Sequence, residues 1–420
     1  MHQKDINEVK DFFALILEQV LGSAPGPAPS SVATVDAIAV AVDHAARLAA
    51  HPFVARIAYG AITVPGPVVQ MRRGGPFNQL KGIADLGEYP TFLFPPGRSC
   101  IMNDLVGGAY GLVTVSEEGV LPGCCQLMWE GTLWRPVMGP HVPAGSQLGK
   151  GGTLVLAQGT GLGAALIEYD ESREEYRVTP LELGSLTVPQ GIQSADYLQG
   201  LATYLHIEPT LVDEAASVGG KAAAAKDAAG AAGGAPGRLS NLRWEQLVSA
   251  TALEYNYFRI VKSRNKTYEK KKIRVSPLSV TGIVEQAEKG DADALEAMLT
   301  MYECFMKLCA EACMALQPIT CALLGNNIVH NQFLFERGTT GERRSHLLTR
   351  LQNALLHHPM QRSGKFISRP SFIRQSHVIN LNIIGCYGVA RYNREGVTGA
   401  TRKQGKEVAQ KHSTRFLAKM

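Results

Sequence analysis

The sequence has little of what secreted, membrane-spanning or disulfide-bonded proteins use. Its 420 residues include only eight cysteines and no CxxC pair, which is too few for a disulfide scaffold in a chain of this length. No apolar run approaches the roughly 18 residues of a spanning helix, and the N-terminus MHQKDINEVK lacks the pattern of a signal peptide. We therefore expect no membrane partner, no secretion, and reduced thiols packed as small apolar groups.

Familiar catalytic signatures are also absent. The sequence contains no GxSxG and no paired histidines at metal-ligand spacing, which argues against a serine hydrolase or a zinc protease. Residues 145–151 (GSQLGKG) depart from a phosphate-binding P-loop, because only three residues separate the first two glycines and Gly151 replaces Ser/Thr.

Positive charge is confined to two segments. The net charge is +5, yet residues 259–274 hold eight basic side chains against Glu269, and residues 401–420 hold six against Glu407. The rest of the chain is net acidic. Nucleic-acid binders spread basic charge over one face among stacking aromatic residues, so we expect no nucleic-acid partner; a nucleic-acid-associated role for 259–274 is kept as an alternative.

Helical and strand-like patterns alternate along the chain. Apolar spacing predicts helices over 1–20 and 35–50, and a helical pair over 280–316 that splits at Gly290-Asp291. The predicted strands are 54–64, 91–94, 99–102, 153–156, 164–169 and 320–324. With 45% apolar residues and length for two or three domains, this pattern predicts an α/β fold of mixed sheets flanked by helices. Residues 215–237 are mostly Ala and Gly, which predicts a flexible insertion.

Two short segments carry the chemistry. Asn103-Asp104 follows a short apolar strand, and a carboxylate at the carboxyl end of a strand is where α/β folds place catalysis. The glycine loop GTGLG (159–163) lies between two apolar strands, and a hairpin of this kind exposes backbone N–H groups that suit phosphate. A plain glycine-rich hairpin is the alternative.

These segments together resemble the bacterial-type (group A) glucokinases, in particular the protist glycosomal branch, from about Ile6 to about Tyr387. The resemblance implies a two-domain, actin-like (hexokinase-type) fold with a cleft between the domains. It places a smaller domain at 1–103, a larger one at 104–400 that includes the 215–237 insertion, and a flexible basic tail at 401–420. It also implies ATP-dependent phosphorylation of D-glucose with Mg²⁺, and a homodimer is consistent with it.

The resemblance also assigns roles to residues. Asn103 and Asp104 contact glucose, with Asp104 as the general base; Glu182, Ser185 (His in bacterial members) and Glu245 bind the sugar. The implied nucleotide-binding residues are Gly159, Thr160, Gly161, Gly163, Gly325 and Asn326. No metal ligand is assigned. Carboxylates and amides suit a ring of hydroxyls, and an aspartate can accept the proton of the attacking hydroxyl. Taken alone, Glu182 and Glu245 would be interpreted as ordinary surface carboxylates, and it is their order and local context in a family-like chain that favour a sugar-binding role.

One family element is missing from these 420 residues. Family members begin with a strand and a D-x-G-G-T turn that holds the phosphates, and no aspartate upstream of Asp104 is followed by that pattern. The expectation is a chain that starts after the first strands of the smaller domain. A catalytically impaired, sugar-binding kinase homologue is therefore the alternative function, because phosphoryl transfer depends on positioning and charge neutralisation.

The C-terminus resembles a targeting signal. Ala418-Lys419-Met420 is a small, basic, large-apolar triplet like the S-K-L peroxisomal signal, and the polar residues before it would leave it exposed. We predict a peroxisomal-type import receptor as a partner and the glycosome as the location, with the cytoplasm otherwise.

Overall fold

The computed structural model describes residues 57–77, 82–130, 135–136, 148–159, 161–189, 191–207, 242–264, 278–335, 342–358 and 370–396. The predicted helices over 1–20 and 35–50, the 215–237 insertion and the basic tail lie outside these residues. Thr160 and the triplet Ala418, Lys419 and Met420 lie outside them as well.

The described residues form short strands in three sheets. The strands are β1 (Gly60–Val64), β2 (Val68–Val69), β3 (Arg73–Gly74), β4 (Ala84–Asp85), β5 (Ser99–Asn103), β6 (Cys125–Glu130), β7 (Arg135–Pro136), β8 (Thr153–Gln158), β9 (Leu162–Asp170), β10 (Glu175–Leu181), β11 (Thr320–Leu324) and β12 (Ser371–Gln375). The largest sheet has the order β10-β9-β8-β11-β12-β6-β7. β1 and β5 form a second sheet of two strands, and a third sheet, which is antiparallel, consists of β2, β3 and β4.

Helices cover the strands. They are α1 (Asp104–Glu117), α2 (Leu121–Cys124), α3 (Ala195–Tyr204), α4 (Trp244–Leu247), α5 (Ala250–Arg264), α6 (Val280–Glu288), α7 (Ala292–Leu316), α8 (Asn326–His330), α9 (Glu342–Leu355) and α10 (Leu381–Gly396). The predicted split of the helical pair is confirmed, since α6 ends before Gly290 and the Asp291 side chain caps α7.

The largest sheet combines both pairing modes. β8, β11 and β12 run parallel at its centre, and β9, β10, β6 and β7 add antiparallel neighbours. The strands predicted over 99–102, 153–156, 164–169 and 320–324 are confirmed, and β1 covers the end of the one predicted over 54–64. The parallel centre matters because the carboxyl ends of β8 and β11 meet at one edge.

The central strands bury side chains on both faces, as parallel strands between helix layers do. Leu154, Leu156 and Leu323 join the core beneath helices α3 to α9, while the intervening Val155 and Ala322 join a second core with residues of α1. All eight cysteines are free and seven are fully buried, which confirms their prediction as small apolar packing groups.

Helices α1 and α10 cross at very short distance. A Cβ atom added to Gly385 would lie 1.8 Å from the Gly107 carbonyl oxygen, and one added to Gly111 would lie 2.1 Å from the Leu381 carbonyl oxygen. Backbone packs directly on backbone at this crossing, which requires glycine on both helices.

One predicted strand is wrong. Residues 91–94 form a turn in which the backbone N–H groups of Leu93 and Phe94 donate to the Pro90 carbonyl. The apolar character that suggested a strand is used differently, because Phe94 is buried against the Tyr89 ring at 5.3 Å between ring centroids.

Candidate functional site

The junction of β5 and α1 fixes Asn103 and Asp104. Asn103 is the N-cap of α1, and its side-chain oxygen accepts hydrogen bonds from the backbone N–H groups of Leu105 at 2.9 Å and Val106 at 3.4 Å. Its amide nitrogen donates to the Gly66 carbonyl at 2.9 Å, which ties the end of β5 to the turn after β1. Both acceptor positions of the Asn103 amide are thus used internally, and one N–H remains for a ligand.

Asp104 is the first residue of α1, and its carboxylate accepts a 2.9 Å hydrogen bond from the Leu105 N–H. The side chain keeps access to solvent, but surrounding protein desolvates it and raises its pKa above the usual range for aspartate. Backbone N–H groups at the helix start offset this in part. The result is a carboxylate that is more basic than an ordinary aspartate and has a fixed direction.

The glycine hairpin between β8 and β9 lies beside the start of α1 at Leu105. The Gly159 N–H donates to the Gly161 carbonyl at 2.9 Å and closes the turn. A Cβ atom on Gly163 would lie 2.9 Å from the Leu105 side chain, and one on Gly161 would lie 3.5 Å from the Glu245 carboxylate. The hairpin therefore lies between the start of α1 and the segment that carries Glu245.

Glu182, Ser185 and Glu245 lie on two adjacent segments. Glu182 directly follows β10 and precedes the 3₁₀ turn Leu183–Ser185, while Glu245 is the second residue of α4. The Trp244 N–H donates to the Leu186 carbonyl at 3.0 Å, and a Cβ atom on Gly184 would lie 3.4 Å from the Glu245 Cβ. Glu182 and Ser185 are exposed and Glu245 is half-buried, with its Oε1 atom 3.3 Å from Arg243 Nη1.

The Gly325-Asn326 turn follows β11 at the same edge. Gly325 has φ +108°, and a Cβ atom there would lie 3.0 Å from the Gln158 carbonyl oxygen, so only glycine suits the position. Its N–H donates to the Gln375 side chain at 3.1 Å, which links the ends of β11 and β12. Asn326 is exposed, and the neighbouring Asn327 amide lies 3.5 Å from the Gly159 carbonyl oxygen. The turn therefore borders the glycine hairpin.

The fold thus brings the described candidate residues to one region, although they come from widely separated parts of the sequence. The supporting residues Gly66, Gln158, Arg243 and Gln375 are not predicted from the sequence. Gln158 did give a signal, since it is an amide at the carboxyl end of a strand that is apolar from Leu154 to Ala157.

The described residues lack two further features that a functional site could use. They contain no cluster of three or more His, Cys, Asp or Glu residues that could hold a metal ion. No helix among them is both long and apolar enough to cross a membrane.

The mixed sheet between helix layers, with a second small sheet at the start of α1, is the actin-like fold of sugar kinases. The structure superposes on the Leishmania braziliensis glucokinase with a TM-score of 0.65 and 32% sequence identity, covering 92% of this chain and 83% of that one. The chain belongs to the glucokinase family. A Balamuthia mandrillaris glucokinase solved in complex with glucose shares the fold at 21% identity, with a TM-score of 0.59 over 85% of this chain and 83% of that one.

Glucokinase sequences from Trichomonas vaginalis match this chain over a shorter region. Glucokinase 1 of Trichomonas vaginalis is 34% identical over 145 residues, which is 33% of this chain and 36% of the Trichomonas protein. The chain therefore matches about a third of the length of this relative. No family model matches the chain.

Proposed function

We propose that the chain is a glucokinase that transfers the γ-phosphoryl group of MgATP to the primary hydroxyl of D-glucose and forms glucose 6-phosphate. The observation that carries the proposal is the position of Asp104, a carboxylate of raised pKa at the start of α1, next to Leu105, which meets a glycine hairpin that also approaches the Glu245 carboxylate. The kinship with glucokinases of Leishmania and Trichomonas supports the choice of substrate.

On the sugar side, Asp104 accepts the proton of the attacking hydroxyl and directs its oxygen toward the phosphoryl group. Glu182 and Glu245 accept hydrogen bonds from other hydroxyls, and Ser185 can both donate and accept. Asn103 contributes its one remaining N–H as a donor, while its main role is to hold the start of α1 in place. In this assignment the sugar lies between 103–104 and the paired segments 182–188 and 242–245.

On the nucleotide side, we assign phosphate binding to the hairpin of Gly159, Gly161 and Gly163, together with the Thr160 hydroxyl. We assign the turn at Gly325 and Asn326 to the adenosine end. Backbone N–H groups at a tight glycine turn are suited to phosphate oxygens, and the absence of side chains lets the ligand approach the backbone. We also propose that the chain divides into two domains after residue 103 and that the sugar binds in the cleft between them.

Replacement of the base tests the proposal. Asp104→Asn should lower kcat for glucose phosphorylation by about 10²- to 10⁴-fold, the usual range for a positioned base, and leave glucose binding nearly intact. The matched control is Asp196→Asn, which removes an exposed carboxylate from the first turn of α3 and should keep wild-type kcat. A coupled glucose 6-phosphate assay and calorimetry with glucose give both values. Near-normal kcat in Asp104→Asn would refute the assignment.

A second candidate function is a sugar-binding homologue that does not turn over. It is favoured by the contacts between the segments that carry Glu182, Ser185 and Glu245, because these contacts concern sugar binding alone and require no phosphoryl transfer. This candidate predicts that the chain binds glucose in calorimetry, binds ATP poorly, and forms no glucose 6-phosphate. Turnover at a rate typical of kinases would exclude it.

We also propose import into a peroxisome-like organelle through Ala418-Lys419-Met420. A fluorescent fusion that carries the triplet at its C-terminus should collect in such organelles, and deletion of the triplet should return it to the cytosol. A fusion that is diffuse in both forms would refute this location.

A further inference from the structure

Gln158 is a buried amide at the end of an apolar strand. It is the last residue of β8, it directly precedes the glycine hairpin, and the residue is only 3% exposed. An apolar residue would continue the pattern of the strand, and burial of an amide costs free energy unless hydrogen bonds compensate it. The buried Gln158 amide is therefore expected to form hydrogen bonds that offset its loss of contact with water.

The Gln158 side chain contacts the segment that carries Glu245, which is assigned to the sugar. Its amide nitrogen donates a 2.7 Å hydrogen bond to the Val248 carbonyl and lies 3.6 Å from the Met301 sulfur. Its side-chain oxygen has no donor among the described residues. Val248 is the C-cap of α4, three residues after Glu245. A single side chain thus joins the strand before the hairpin to the turn that carries the proposed sugar carboxylate.

Helix α4 needs such a link. It has four residues, about one turn, and an isolated helix of that length is not stable in water. Its start is held by the Trp244 N–H on the Leu186 carbonyl, and its end by the Gln158 amide. The side chains of Leu247 and Val248 are buried at this end, and the Gln158 bond adds a fixed position for the Val248 backbone carbonyl.

We infer that Gln158 is a positioning residue, which holds the end of α4 against β8 and thereby fixes Glu245 for sugar binding. The inference rests on the proposed function, because Glu245 is assigned there to the sugar. Gln158 does not need to touch the substrate. Its effect should therefore fall on the KM for glucose more than on kcat or the KM for ATP.

The first test replaces the amide by an apolar side chain of similar length. Gln158→Met should raise the KM for glucose about tenfold, the size expected for one buried hydrogen bond, with kcat and the KM for ATP within about threefold of wild type. The control is Thr153→Val, which changes a buried polar side chain at the other end of β8 and should leave all three values unchanged. KM does not depend on the fraction of folded enzyme.

A purely structural role for Gln158 would therefore lower the yield of active enzyme without changing the KM for glucose. A KM for glucose within twofold of wild type in Gln158→Met would overturn the inference.

The second test uses protonation to restore the bond. In Gln158→Glu, the protonated carboxyl can donate to the Val248 carbonyl, whereas the carboxylate is repelled by it. Burial raises the pKa of such a carboxyl, so the KM for glucose should approach the wild-type value at acid pH and rise as the pH increases. The comparison is the ratio of variant to wild-type KM at each pH, which removes the titration of Asp104. A ratio that does not change with pH would count against the donor role of residue 158.

A third measurement separates this inference from the proposed function. Hydrogen exchange of peptides that cover 244–249 should be faster in Gln158→Met than in the wild type and unchanged in Thr153→Val. If the wild-type chain phosphorylates no hexose, the proposed function fails, and exchange still decides whether Gln158 holds α4. Equal exchange in all three proteins would overturn the inference, whatever the activity.

Discussion

The crossing of α1 and α10 gives a prediction about stability that can be worked out from distances. In Gly385→Ala, the new methyl group would lie 1.8 Å from the Gly107 carbonyl oxygen and 2.8 Å from the Gly111 nitrogen. Ordinary contacts begin near 3.4 Å, and both neighbours are backbone atoms, so the helices would have to separate by more than an ångström. A flexible side chain could have rotated away, but the backbone of a helix cannot.

Two opposing effects set the magnitude. Alanine is preferred over glycine in a helix interior by about 1 kcal/mol, whereas overpacking of a core costs about 1–3 kcal/mol and more where backbone must move. We expect a net loss of about 2 kcal/mol in the free energy of unfolding for Gly385→Ala, measured by urea titration with circular dichroism.

The control is the same substitution in an open helix. A Cβ atom on Gly282 in α6 meets only the side chains of Leu278 and Ser279, the closest at 3.5 Å. Gly282→Ala should therefore keep or raise the free energy of unfolding, by at most about 1 kcal/mol. A Gly385→Ala protein as stable as the wild type, beside a control that behaves as expected, would show that the helices do not cross as closely as described.

Three further predictions concern the site and the core. Because burial raises the pKa of Asp104, kcat/KM for glucose should be lost as the pH falls through that raised pKa, and pH profiles should lose this acid limb in Asp104→Asn. Gly184→Ala would place a methyl group 2.4 Å from the Leu162 carbonyl oxygen, so the KM for glucose should rise while KM in Gly282→Ala stays unchanged. Asn256→Leu should lower the free energy of unfolding by about 2 kcal/mol or more in urea titration, because this buried amide accepts from the Tyr197 hydroxyl at 2.8 Å and donates to a backbone carbonyl.

Much of the sheet could be predicted from local patterns. Apolar runs between glycine and proline are typical of buried strands, and they located β5, β8, β9 and β11 correctly. The same rule failed at 91–94, where prolines on both sides favour a turn and the apolar rings pack against neighbours. The close crossing of α1 and α10 could not be predicted, because it depends on a contact between glycines more than 270 positions apart.

The candidate site was predictable in its chemistry and less so in its supports. The strand-end position of Asp104 follows from the sequence, and so does the use of Asn103 as a helix cap, since asparagine is favoured there. The hydrogen bond from Gln158 to Val248 joins residues 90 positions apart, and no spacing rule indicates it. Local patterns identify groups that can react, whereas long-range contacts decide which of them are held in place.

The strand order of the largest sheet has a consequence for how the chain folds as it is made. β12 lies between β11 and β6, so β6, near residue 125, pairs with a strand near residue 375. Helix α1 likewise packs on α10, and both contacts close very long loops, which are entropically costly and slow to form. On a ribosome, β6 and α1 emerge long before their partners. Their apolar faces must stay protected until β12 and α10 are synthesised, which makes early termination after β11 a predicted route to aggregation.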